Sequence, residues 1–297
     1  IAFCGYHGWH DWYLSANLKT DILGSGHLLP GLKTNGVPNC LENTLFPFNY
    51  NDYNNFLDII ENNNIGTVIM EPQRTYEPKD NFLEKIREKC TEKKIVLIFD
   101  EISSGFKINN GGIHLIHKVY PDIAIFSKSM SNGYPMAAIL GKKNIMSIAE
   151  ETFMSSHYWT DDIGFRAAIA TIKKFEKYDV GNHINIIGNY YQKKLKELAD
   201  SIEIKINISG IPAWSSFSFD YENSNEIKTI YTQEMLKRHI IASTLFCPSY
   251  SHKKKDIDFY LKNIKDVFIY LLKLIKSNKI NDNLLGVSAH KGFKRLA

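Results

Sequence analysis

Two short apolar runs that end in charged residues constrain this chain more than any other feature. Ile95 to Phe99 runs into Asp100 and Glu101, and Ile123 to Phe126 runs into Ser127 and Lys128. Continuous runs of this kind, rich in Ile, Val and Phe and bounded by polar residues, read as strands of a parallel sheet covered on both faces. In open α/β sheets, ligands lie beyond the carboxyl ends of the strands. The pattern therefore predicts a carboxylate and an amine facing one ligand. That pair suits a cofactor with a reactive carbonyl and a basic ring nitrogen, and pyridoxal 5'-phosphate answers to both.

The flanking sequence supplies the crossovers such a sheet needs. Ile1 to Cys4 reads as a strand, followed by an aromatic turn and a short helix through Leu18. Asp52 is placed to cap a helix that carries Phe56, Leu57 and Ile60 on one face. Gly66 to Met70 is a second buried strand, ending at Glu71-Pro72, and Asp80 opens a helix with Phe82, Leu83, Ile86 and Cys90 at helical spacing. This alternation of strand and helix predicts a parallel sheet. Asn132-Gly133 is a tight-turn pair leading into a strand over Met136 to Leu140. Helices follow over 142–151, 163–178 and 182–200. Beyond Asp200 the pattern becomes α+β, with strands over 202–208 and 214–219 and helices over 226–238 and 256–276. The expected organisation is a large domain over 1–185 and a smaller one over 186–297. The stretch from Asp21 to Pro47, rich in Gly, Pro, Asn and Thr, reads as a long irregular loop.

Composition excludes several functions. A net charge of +4 over 297 residues, with Lys interleaved among Asp and Glu in runs such as Lys253 to Asp258, gives solvated helix faces and no nucleic-acid surface. The four cysteines are scattered, with no C-x-x-C pair, which predicts neither a metal site nor a disulfide framework and suits the cytoplasm. No apolar run approaches the roughly 18–20 residues that span a bilayer. The chain opens without methionine on what reads as a strand already under way, so a fragment of a longer protein is expected.

Several motifs in a fixed order carry a family resemblance. D-E-I-S-S-G-F from Asp100 and S-K-S-M-S-N-G-Y-P-M-A-A from Ser127 resemble the class III pyridoxal-phosphate aminotransferases, which include the glutamate-1-semialdehyde aminomutases. Tyr6-His7-Gly8 resembles the family's aromatic-His turn, Glu71-Pro72 its E-P strand end, and the terminal H-K-G-F-K-R-L the ending of an aminomutase-like subgroup. The resemblance implies fold type I. That means a mostly parallel seven-stranded sheet flanked by helices, a smaller α+β C-terminal domain, and a homodimer with the active site at its interface. It also implies a phosphate-binding turn shortly before the point where this chain begins.

The resemblance assigns roles by position. Lys128 forms the Schiff base with the cofactor aldehyde and shuttles the proton, Asp100 keeps the pyridine nitrogen protonated, and Tyr6 and Ile102 cover the two ring faces. His7, Ser103 and Ser127 are further cofactor contacts. Glu71 is a substrate contact or the partner of an arginine. Glu101, on the opposite side of its strand, is expected in a buried network. Where the family places a phosphate-binding Thr, this chain has S-S-H-Y-W-T, so Ser156, His157 or Thr160 takes that place, and His157 is also a candidate substrate contact. The implied activity is transfer of an amino group from a small-molecule donor to a carbonyl acceptor. The alternatives are an intramolecular glutamate-1-semialdehyde aminomutase and, from another class, a non-catalytic scaffold of the same fold.

Overall fold

The computed structural model describes residues 1–18, 34–155 and 161–289. The chain divides into two compact units, with the division after Gly181.

In the first unit the strands are β1 (Ala2–Cys4), β2 (Phe46–Pro47), β3 (Thr67–Met70), β4 (Val96–Asp100), β5 (Ile123–Phe126) and β6 (Ala138–Gly141). They form one sheet in the order β2-β1-β3-β4-β5-β6. Every pairing is parallel except that of β5 with β6. Six strands stand among the described residues where the resemblance implies seven. The helices are α1 (Asp11–Leu14), α2 (Tyr53–Asn62), α3 (Phe82–Glu92), α4 (His114–His117), α5 (Lys143–Met146) and α6 (Asp162–Lys177).

The side-chain period of two explains why the strands read as unbroken apolar runs. Ala2, Cys4, Val68, Met70, Leu97 and Phe99 pack against Phe56, Ile60, Phe82, Leu83 and Ile86 from α2 and α3. The alternate residues Phe3 and Ile69 pack on the other face with Tyr13, Ala16 and Leu45, and Tyr6, Ile98 and Ile125 lie against that cluster. Asp100 follows Ile98 on this second face, whereas Glu101 continues the line of Leu97 and Phe99. The strand order also fixes where a ligand belongs. The chain leaves β1 toward β2 on one side and returns as β3 on the other, so the topological switch point lies beyond the carboxyl ends of β1 and β3.

Local chemistry sets most boundaries. The Asp52 carboxylate accepts from Asn55 N at 3.0 Å and caps α2 as its sequence predicts. Helix α3 begins later than Asp80 indicates, because Asp80 and Asn81 are both left-handed, at φ 52° and 56°. The Asn132-Gly133 turn holds both residues at positive φ, 50° and 102°, as that dipeptide favours. The helix expected over 142–151 is instead α5 followed by a 3₁₀ turn over Ser147–Glu151. Strand β2 lies inside the stretch read as irregular loop.

The second unit begins in α7 (Val180–Ile202) and contains β7 (Ile206–Ser209), β8 (Ser215–Phe219), α8 (Ser224–Leu236), β9 (Leu245–Phe246) and α9 (Lys254–Lys276). The three strands form an antiparallel sheet in the order β7-β8-β9. Its core joins Tyr191, Leu195 and Ala199 of α7, Phe217 and Phe219 of β8, Ile227 and Tyr231 of α8, and Ile264, Phe268 and Leu271 of α9. The strand expected over 202–208 starts later, since Ile202 completes α7. Among the described residues no helix is long and apolar enough to cross a membrane, and no group of His, Cys, Asp or Glu is arranged to hold a metal ion.

Candidate active site

The carboxyl ends of β1, β3, β4 and β5 bring together Tyr6 and His7, Glu71, Asp100 to Ser103, and Ser127 with Lys128. Asp100 is the last residue of β4 and is buried. Its Oδ1 accepts from Ile102 N at 3.0 Å and its Oδ2 meets His7 Nδ1 at 2.8 Å. The other ring nitrogen, His7 Nε2, lies 3.2 Å from Cys4 O. A carbonyl only accepts, so Nε2 is the donor to Cys4 O and Nδ1 is the ring nitrogen that faces Asp100. A carboxylate has about four lone-pair positions. The two contacts within the chain leave Asp100 able to accept from one more cationic N–H.

Lys128 lies two residues beyond the end of β5, after Ser127, and is exposed. Its φ of 48° lies in the left-handed region, which costs a residue with a Cβ about 1–2 kcal/mol. That conformation ends the alternation of β5 and turns the side chain toward β4, where Nζ donates to Ser103 Oγ at 2.9 Å. Ser127 Oγ is engaged within the chain, donating to Met136 O at 2.7 Å.

Tyr6 is half-buried and braced by Trp9 and Tyr13, with ring centroids 5.0 and 5.8 Å away. Its backbone N donates to Glu71 Oε2 at 3.1 Å. Glu71 is buried, and Arg74 Nη1 stands 3.7 Å from its Oε1. Gly5 permits this arrangement. A Cβ there would lie 2.7 Å from Glu71 Oε2, and its φ of 113° disfavours any side chain. Burial first, and the Glu71 charge second, push the Cys4 thiol well above its ordinary value, so it is no nucleophile near neutral pH.

Glu101 points away from this group. It accepts from Ile113 N, His114 N and Ser104 Oγ, and its Oε1 meets His114 Nδ1 at 2.8 Å. This fully buried carboxylate anchors the loop over 102–113, and so fixes the backbone that carries Ile102 and Ser103. Sequence reasoning missed His114, since nothing local marks a partner thirteen positions from Glu101. His157 and Thr160 fall outside the described residues, as do Ser156 and the terminal H-K-G-F-K-R-L.

A buried carboxylate with spare acceptor capacity and an amine at the adjacent strand end thus share one side of the sheet, and the sequence around them matches a known family. The family described as Aminotransferase class-III matches residues 5–268. The chain belongs to the class-III aminotransferases. Over 291 residues it is 27% identical to a 3-aminobutyryl-CoA aminotransferase of Cloacimonas acidaminovorans, covering 93% of this chain and 66% of that protein. Over 309 residues it is 30% identical to a glutamate-1-semialdehyde 2,1-aminomutase of Wigglesworthia glossinidia brevipalpis, covering 94% and 68%. The fold resembles that of the FumI protein of Sphingopyxis sp. MTA144 in its PLP internal aldimine form, with a TM-score of 0.79 at 20% identity over 93% of this chain and 66% of that one. An omega-transaminase of Sphaerobacter thermophilus gives a TM-score of 0.75 at 17% identity, over 92% and 67%. The chain thus spans about two thirds of the length of these relatives. Class-III aminotransferases use pyridoxal 5'-phosphate, and the fold here is their α/β arrangement with a mainly parallel sheet.

Proposed function

We propose that the whole protein is a pyridoxal-phosphate-dependent aminotransferase that moves an amino group from a small-molecule donor to a carbonyl acceptor. The observation that carries this reading is the shared strand-end position of Asp100, paired with His7, and the Lys128 amine. The donor set fits the cofactor. Asp100 retains acceptor capacity for a protonated ring nitrogen, Lys128 offers the amine for its aldehyde, and Tyr6 and Ile102 offer partly exposed surfaces for its ring. When bound, pyridoxal phosphate supplies an electron sink for the carbanion formed at the substrate carbon. The chain's residues supply the rest. The Asp100 charge favours the protonated ring nitrogen, His7 holds Asp100 in place, and Lys128 moves a proton as a general base and acid. Glu71, buried, with the half-buried Arg74 beside it at the β3 end, is the proposed contact for substrate. Thr160 and His157 remain the candidate phosphate and substrate contacts from the partly matched family pattern.

The aminomutase relative favours a second reading, an intramolecular transfer on glutamate 1-semialdehyde. A half-reaction assay on the full-length protein separates the two. Loaded with pyridoxal phosphate and mixed with amino donors, an aminotransferase releases one keto acid per site. Release of none from any donor, with conversion of glutamate 1-semialdehyde, selects the aminomutase.

A homodimer completes the proposal. Ile139 and Leu140 of β6 and Ile163, Phe165 and Ile169 of α6 are exposed apolar residues of the first unit that a second copy would cover. A monomeric mass by light scattering contradicts it. All four cysteines are free, in keeping with a cytoplasmic location.

A further inference from the structure

We propose that Ser103 is a positioning residue for the Lys128 amine, an inference that rests on the reading of Lys128 given above. Ser103 is buried at 7% exposure, three residues beyond Asp100, and its Oγ accepts from Lys128 Nζ at 2.9 Å. Its backbone stands on a fixed platform. Ile102 N is held by Asp100 Oδ1 on one side, and Ser104 Oγ and Gly105 N are held by Glu101 on the other. Lys128 reaches this hydroxyl from a left-handed backbone that few lysines adopt. The two ends of the hydrogen bond are therefore set by separate strands, β4 and β5, and the bond fixes where a long, flexible side chain places its nitrogen.

The chemistry of the acceptor matters. The two carboxylates nearest Ser103 along the chain are committed elsewhere, Glu101 to Ile113 N, His114 and Ser104 Oγ, and Asp100 to Ile102 N and His7 with its remaining capacity kept for the ring nitrogen. At Ser103 the Lys128 amine meets a neutral hydroxyl. A hydroxyl orients the amine without adding the charge attraction that would favour its ammonium form. A serine can also turn its own proton away and keep a lone pair toward Nζ, so the amine stays aimed whether or not it carries the extra proton.

The test uses full-length protein stripped of cofactor, in wild-type, Ser103→Ala and Ser103→Thr forms. Two rates are read at Lys128. One is modification by acetic anhydride, quantified by peptide mass spectrometry with Lys142 as the internal reference. The other is coupling of added pyridoxal 5'-phosphate, followed by visible absorbance. Ser103→Ala releases the amine, so acetylation at Lys128 rises about fivefold, while coupling slows about fivefold as alignment is lost, the effect expected of one hydrogen bond. Ser103→Thr keeps the hydroxyl and returns both rates to within about twofold. A merely structural serine shifts the melting temperature and acetylation at many lysines, and that result overturns the proposal. So do Ser103→Ala rates within about twofold of wild type, or a Ser103→Thr defect as large as that of Ser103→Ala. If wild-type protein does not couple pyridoxal phosphate at Lys128, the functional reading fails, and the acetylation rates still decide the role of Ser103.

Discussion

In the proposed site Asp100 is the residue that would carry the electrostatics, and its two partners define what a substitution does. Asn at this position keeps an oxygen for Ile102 N and removes the charge that faces His7. Removing one preorganised electrostatic contact typically lowers turnover by about 10²–10³-fold. Asp100→Asn should therefore reduce kcat about 100-fold, with KM for the donor changed less than about threefold. Steady-state kinetics check this, and an undiminished kcat removes Asp100 from the chemistry. At this scale the sequence was legible where side-chain alternation decides direction. Asp100 and Glu101 diverge to His7 and His114 because successive residues of a strand face opposite ways. It was illegible where a single left-handed residue decides, as at Lys128, or where a loop returns a distant group, as at His114. The hydrogen bonds of His7 illustrate the same limit. Sequence order makes it a candidate cofactor contact, while the folded chain engages both of its ring nitrogens with Asp100 and Cys4.

Elements are held in register by a few polar contacts between apolar strands, and Asp122 is the clearest of them. It accepts from Leu97 N of β4, Arg87 of α3 and Lys142 beyond β6. Desolvation raises its pKa, but the Leu97, Lys142 and Arg87 contacts outweigh it, and the net shift is below the ordinary 3.8. A depressed folded pKa gives stability that is present above the unfolded value and lost as pH falls through the folded one. Asp122→Asn should cost about 2 kcal/mol at pH 7, and the difference from wild type should shrink as pH drops below about 4. Denaturant titrations at pH 7 and pH 3 measure it, and a penalty that does not change with pH contradicts the linkage. In the second unit the deciding contact is steric. A Cβ on Gly188 of α7 would collide with the backbone carbonyl of Pro212. Ala gains about 1 kcal/mol of helix propensity over Gly, while overpacking against immobile backbone costs about 1–3 kcal/mol. Gly188→Ala should thus lower stability by about 1 kcal/mol, read as a reduced denaturation midpoint, and a raised midpoint contradicts the packing. The apolar periods of α2, α3, α7 and α9 made those helices legible. The two-residue β2 was not, because Phe46–Pro47 takes its strand character from pairing with β1 and not from any pattern of its own.

For the whole molecule, the mostly parallel sheet was readable because its central strands β1, β3 and β4 pack on both faces and so show as plain apolar runs. The sheet order followed less directly, since adjacency depends on crossovers and not on composition. What the order adds is location. The β1/β3 switch point lies beside the ends of β4 and β5, so one region collects the amine, the buried carboxylate and the aromatic turn. The claim that unites these scales is that Lys128 is the covalent attachment point for pyridoxal phosphate. Borohydride reduction of the full-length protein loaded with pyridoxal phosphate, followed by peptide mass spectrometry, tests it most directly. The pyridoxyl group should appear on the peptide containing Lys128 and vanish in Lys128→Ala. Its appearance on another lysine, or undiminished labelling and turnover in Lys128→Ala, would contradict the account.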